Sequence, residues 1–180
     1  MTSLLTPAYD LTLGSQSWTR QATRLTLTLA LAPRVNILTV SFPAEAPLSA
    51  GIGDDAILTL SGGEREEPVF AGTIDSVRRG FDEIRVACLD AGGLLSRFRP
   101  AVTYQQVNAS TVIRKLAGEM EISIGDLEDG PTLPFYVADP SSTAWEHISR
   151  VSAWGGAVAS ISAENRLNSV VIDASQAEIA

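Results

Sequence analysis

Acid–base chemistry at neutral pH is usually entrusted to histidine, and this chain of 180 residues has one, His147. A lone imidazole does useful chemistry only when carboxylates, thiols or hydroxyls are gathered around it. His147 stands beside Trp145 and Ile148 in a short helical segment and reads as a boundary residue bonded to backbone or water. Cys88 is the single thiol, which excludes an internal disulfide and a multi-cysteine metal site. It shares a strand face with Val86 and Ile84, where a small apolar residue would serve as well. Asp126, Glu128 and Asp129 could bring oxygens together for calcium. They lack the alternating spacing and distal glutamate of an EF-hand loop, so the segment 125–130 reads as a solvated acidic loop. Asp54 and Asp55 read as turn acids ahead of a strand. Gly51-x-Gly53 is a poor phosphate cradle because a strand follows it and no lysine is near. Of the three tryptophans, Trp145 and Trp154 lie at helical spacing and read as core, leaving Trp18 as the candidate exposed aromatic. The sequence nominates no catalytic residue, no cofactor-binding residue and no metal ligand.

Composition narrows the class. An apolar content of 45% with 19% charged residues describes one or two soluble globular units with adequate cores. Thirteen basic against 21 acidic residues give a net charge of -8, which repels nucleic-acid phosphates and anionic lipid. Tight nucleic-acid binding is not expected. The opening Met1-Thr-Ser-Leu-Leu-Thr-Pro has no basic flank or long apolar run and reads as unprocessed. No segment approaches the roughly 20 apolar residues that span a bilayer, so no stable membrane insertion is expected.

Two periodicities divide the chain. Leu25, Leu27, Leu29 and Leu31 alternate with Arg24, Thr26, Thr28 and Ala30, which predicts a strand with one buried face. Leu38, Val40 and Phe42 repeat the pattern after Pro33, and Pro43 with Pro47 force a loop. Ile57 to Leu60 and Val69 to Arg79 are further strands, turned at Gly62-Gly63, with Gly72 suited to a bulge or a close backbone approach. Gly80-Phe81-Asp82-Glu83 reverses the chain into Ile84 to Leu89. After Pro100 the period becomes helical. Val112, Ile113, Leu116, Ala117 and Met120 share one side of a helix begun near Asn108 or Ser110. A second helix opens on a capping box, Thr143-Ala-Trp-Glu146, buries Trp145, Ile148 and Val151, and stops at Gly155-Gly156. A polar, acidic loop from Gly125 to Pro134 joins the helices, and Ala157 to Ser162 with Ser169 to Asp173 reads as a hairpin. The expected fold is α+β, mainly β: a small β-barrel over 1–99, then an α/β unit over 100–180 with two short helices and a C-terminal hairpin.

The succession Gly51-x-Gly53-Asp54-Asp55, Phe70-x-Gly72-x-Ile74 and Cys88-Leu89-Asp90 ahead of Leu94-Leu95 resembles phage tail baseplate hub proteins. Thr111 to Ala117, then Tyr136 through Ser142-Thr143-Ala144-Trp145 and Trp154-Gly155-Gly156, is similar to the helix pair of the late control protein D, T-even hub and type VI secretion spike group. The resemblance covers roughly residues 35 to 175. It implies a homo-oligomeric ring, a trimer in that family, in a virion tail whose parts are made in the bacterial host cytoplasm. Its implied neighbours are the tail tube or a distal tail protein above and a spike or central fibre below, with DNA passing through the lumen. It implies no catalytic residues. Family members are much longer and carry a second barrel, so a shortened or split hub component or a fragment is implied, and a hexamer or a partnered hub stands beside the trimer. The acidity suits a conduit, because a negative lumen does not retain phosphates. Two other classes remain open: a carbohydrate- or protein-binding β module, against which Tyr9, Trp18 and Tyr104 are scattered, and a small hydrolase with two carboxyls roughly 5 to 9 Å apart.

Overall fold

A computed structural model of the chain describes residues 8–62 and 65–172. The opening Met1 to Pro7, Gly63 of the expected turn and Asp173 at the expected end of the hairpin lie outside the described residues. The fold is α+β and mainly β, in two compact units. The first runs up to Leu29 and includes Asn36–Asp90 and Ala163–Asn165; the second comprises Ala30–Val35, Ala91–Ser162 and the residues from Arg166 onward.

The first unit is one antiparallel sheet of seven strands: β1 (Ala8–Leu13), β2 (Gln16–Trp18), β3 (Arg24–Thr28), β4 (Ile37–Pro43), β5 (Asp55–Gly62), β6 (Arg65–Arg79) and β7 (Glu83–Leu89). Their spatial order is β2-β1-β5-β6-β7-β4-β3. Period-two alternation sends Leu11, Leu13, Leu38, Val40, Phe42, Ala56, Leu58, Phe70, Ile74, Ile84, Val86 and Cys88 to one buried face, so the sheet makes its core by curling on itself. Trp18 on one edge strand reaches Phe42, next to the other edge, with ring centroids 4.7 Å apart. The expected barrel is nevertheless not closed, because no ladder joins β2 to β3. These are short end strands of three and five residues. A side chain spans part of the gap instead: the Tyr9 hydroxyl of β1 accepts from the Ala22 amide (3.1 Å).

Gly72 is a close-approach glycine. A Cβ there would sit 2.2 Å from the Leu89 carbonyl oxygen, a distance no side chain tolerates. The bulges fall elsewhere, between Leu58 and Thr59 and between Ile74 and Ser76. The leucine alternation also ends sooner than expected. β3 stops at Thr28, and Leu29 and Leu31 are 65% and 50% exposed. From Ala30 the backbone is committed to the second unit: the Ala32 amide donates to the Ala159 carbonyl (3.0 Å), and the Trp145 indole donates to the Arg34 carbonyl (2.9 Å). Those bonds replace the ladder that would have continued the strand.

The second unit packs three helices, α1 (Ala91–Leu95), α2 (Ala109–Gly118) and α3 (Ala144–Trp154), with five strands: β8 (Val102–Asn108), β9 (Ile124–Leu127), β10 (Thr132–Ala138), β11 (Val158–Ile161) and β12 (Leu167–Val170). β8 and β10 form a ribbon, and β11-β12-β9 form a mixed sheet in which β12 runs parallel to β9. One helix was not expected. The Ala-Gly-Gly-Leu-Leu segment of α1 carries two poor helix formers, Gly92 and Gly93, and its helical form rests on burial of Ala91, Gly92, Gly93 and Leu95. The expected joining loop is instead largely β9 and β10. Its acidic turn holds the start of α2: the Ser110 amide donates to the Asp129 carbonyl and the Ala109 amide to that of Pro131 (3.1 Å each). Asn108 is not a side-chain cap, since its Oδ1 accepts from the Thr132 hydroxyl (3.1 Å). The capping box of α3 is present as expected, with the Glu146 amide donating to the Thr143 hydroxyl (3.2 Å) and the Thr143 amide to Glu146 Oε2 (2.7 Å). Gly156, with φ of 72°, takes the left-handed position that ends the helix.

Candidate functional site

His147 is fully buried, not a partly solvated boundary residue. It lies on the first turns of α3, whose inward face also carries Ala144, Trp145, Ile148 and Val151. Its Nε2 lies 2.9 Å from the Asp139 carbonyl oxygen and its Nδ1 2.6 Å from the Tyr136 hydroxyl. A carbonyl can only accept, so Nε2 carries hydrogen; in the neutral ring Nδ1 then accepts from Tyr136. Tyr136 is itself packed edge-on against the His147 and Trp154 rings, and stacks on Tyr104 at 6.4 Å. Desolvation raises the phenol pKa of both tyrosines above its ordinary value. The Asp139 carboxylate accepts from the Ser141 hydroxyl and amide, which hold its pKa below the usual carboxylate range. The arrangement ties β10 to α3 and offers a substrate no entry to the imidazole.

The other chemical candidates take structural roles within their own units. Asp129 Oδ1 accepts from the Ser110 hydroxyl (3.1 Å), and the Asp126 amide donates to Asn168 Oδ1 (2.8 Å). Asp54 Oδ2 accepts from the Gly51 amide (2.8 Å), and Gly53 has φ of 92°, so Gly51 to Asp54 is a self-bonded turn. Its strand side is fixed by the Gly53 amide donating to the Ile74 carbonyl and the Ile74 amide to the Asp54 carbonyl (2.8 Å each). Cys88 is buried in the sheet core, and desolvation, with a smaller contribution from Asp75, pushes its pKa up to about 12. No group of three or more His, Cys, Asp or Glu residues could hold a metal ion among the described residues.

What the surface does offer is contact area. Trp18 and Trp154 exchange their expected roles: Trp18 is 5% exposed within the sheet core, and Trp154, past the last inward position of α3, is 52% exposed. Phe81, at the tip of the β6–β7 hairpin, is fully exposed, and Ile52 projects from the Gly51–Asp54 turn. Phe135 and Val137 are exposed on β10. The signal for Phe81 was legible, since a large apolar residue between a turn glycine and two acids has no core to enter. In the second unit a hollow of about 650 Å³ is lined by Phe98, Pro100, Val102, Tyr104, Leu116 and their neighbours, with Lys115 and Glu119 among them.

No protein-family model matches the chain, and no curated protein matches it. Solved structures do. The 43 kDa tail protein of prophage MuSo2 from Shewanella oneidensis superposes with a TM-score of 0.74 at 13% identity, over 92% of this chain and 55% of that one. The tail protein from Neisseria meningitidis MC58 gives 0.77 at 16% identity, over 96% and 53%. The E. coli c3393 protein, a type VI secretion system component with structural similarity to T4 bacteriophage tail proteins gp27 and gp5, gives 0.50 at 13% identity, over 92% and 44%. The chain thus spans about half the length of the solved structures it matches. At these identities the likeness is one of fold, and the fold of this chain is the one found in phage tail proteins.

Proposed function

We propose that this chain is a structural component of a virion tail, a baseplate or tail-tip hub subunit that assembles into a ring between the tail tube and a spike or fibre. The observation that carries the reading is the superposition on two tail proteins over nearly the whole chain. The curled sheet of the first unit is the tube-like element in this reading, and its partners are further copies of itself, a tube or distal tail protein, and a spike or fibre protein. The outer edges of β2 and β3, unpaired among the described residues, support lateral contacts, because such edges invite a neighbour unless they are blunted. The role is structural, not catalytic: the one histidine is enclosed by Tyr136 and the Asp139 carbonyl, and the carboxylates serve turns and helix starts. A net charge of -8 suits a lumen through which DNA passes without adhering. Native mass measurement of the purified chain, alone and with its tube protein, tests the reading. A closed ring of three or six copies is expected; a strict monomer in both samples would overturn it.

A further inference from the structure

We infer that the ring contact is a knob-into-hole pairing in which Phe81 of one copy enters the hollow between Phe98, Pro100, Val102, Tyr104 and Leu116 of a second copy. The inference rests on the ring reading above and names the surface that would build it. Phe81 is fully exposed. Burying such a ring removes roughly 200 Å² of apolar surface from water, enough for the central anchor of an interface.

The tip that carries the ring is held in shape before any partner arrives. The Gly80 amide donates to the Glu83 carbonyl (2.8 Å), Arg79 Nη2 donates to the Leu48 carbonyl (2.8 Å), and Arg85 pairs with Glu83. A rigid knob loses little conformational entropy on docking. The receiving hollow, about 650 Å³, has the size of a small-ligand site and a mainly apolar wall with Tyr104 buried in it. Charges match on both sides. With Arg79, Glu83 and Arg85 engaged, the tip presents Arg78 and Asp82 flanking Phe81, and α2 presents Lys115, 5.7 Å over the Tyr104 ring, and Glu119 one turn later. Arg78 can meet Glu119 while Asp82 meets Lys115. Knob and hole are different patches of one chain, and in the ring reading the contact runs head-to-tail, closing where the rotation from copy to copy closes.

The test is sedimentation velocity on the full chain, with circular dichroism to confirm folding. Phe81→Ser and the hole-filling Thr103→Trp are each expected to weaken self-association about ten-fold or more. Arg78→Glu and Glu119→Arg are each expected to weaken it, and the double reversal to restore it. If the ring persists unchanged in Phe81→Ser and Thr103→Trp, this contact is wrong while the ring reading stands. If the wild-type chain forms no ring alone or with its tube protein, both fall together.

Discussion

Each nitrogen of His147 has one partner, and that is what makes the residue sensitive. Replacing Tyr136 with Phe leaves Nδ1 facing an apolar edge, and replacing His147 with Ala removes one partner of the phenol and opens a cavity. We expect the first to cost about 1–3 kcal/mol and the second at least as much, with a double-mutant cycle showing coupling between the two. Urea denaturation measures both, and equal stability of all variants would contradict the enclosed geometry. Cys88 makes the opposite case, a residue whose chemistry is suppressed. Its pKa is raised to about 12, above the ordinary value of 9.0, so below pH 9 the thiol is protonated in folded and unfolded chains alike. Between those values only the unfolded chain releases the proton, so stability falls as pH rises above 9. The raised phenols of Tyr104 and Tyr136 act in the same direction at still higher pH. Melting temperatures should therefore drop above pH 9, less steeply in Cys88→Ala, which itself should cost about 1 kcal/mol through a small cavity. The sequence revealed Cys88 as core because its neighbours alternate. It misled on His147 because the distant Tyr136 and Asp139, not the adjacent residues, complete the burial.

At the scale of elements, local rules were most legible where they are self-contained. The capping box of α3 needs only Thr143 and Glu146, three residues apart in one turn, and both bonds are present. Thr143→Ala should cost about 1 kcal/mol. The Glu146 pKa is lowered chiefly by its bonds from Thr143, so its contribution is full above the unfolded value near 4.5 and fades as pH falls through the folded one. An acid titration of helix content should begin to fall in that window, and earlier in a Thr143→Ala chain. Gly156 is equally local: Gly156→Ala should cost about 1–2 kcal/mol for placing a Cβ at φ of 72°, whereas Gly155, at φ of -88°, carries no such strain. Gly72 required more than local information. That it marks a close approach was readable, but that Leu89 is the neighbour depends on the β6–β7 register, and Gly72→Ala should cost about 1–3 kcal/mol by prising those strands apart. The helix α1 and the capping of α2 by Asp129 and Pro131 were hidden for the same reason, since burial and a distant turn supply what the segment lacks.

For the molecule as a whole, the division of the chain was the least legible feature. A switch from strand to helix period near Pro100 suggests a single cut, yet six residues, Ala30–Val35, interrupt the first unit and belong to the second. They are not decoration there: Ala32 and Val35 pack against its core, and Arg34 supplies the acceptor of the Trp145 indole. A fragment beginning at Ala91 lacks all of these. It should be less stable than the same unit in the full chain, with the Trp145 N–H exposed to hydrogen exchange, and a native-like melting temperature for that fragment would show that the insertion is dispensable.

The placing of the tryptophans has an optical consequence. Trp18 lies in the first unit and Trp145 and Trp154 in the second. Emission from a chain retaining only Trp18 reports one core, and emission from a chain retaining only Trp145 reports the other. Comparing their denaturation curves would reveal, without any attached label, whether the two units come apart in concert or in turn.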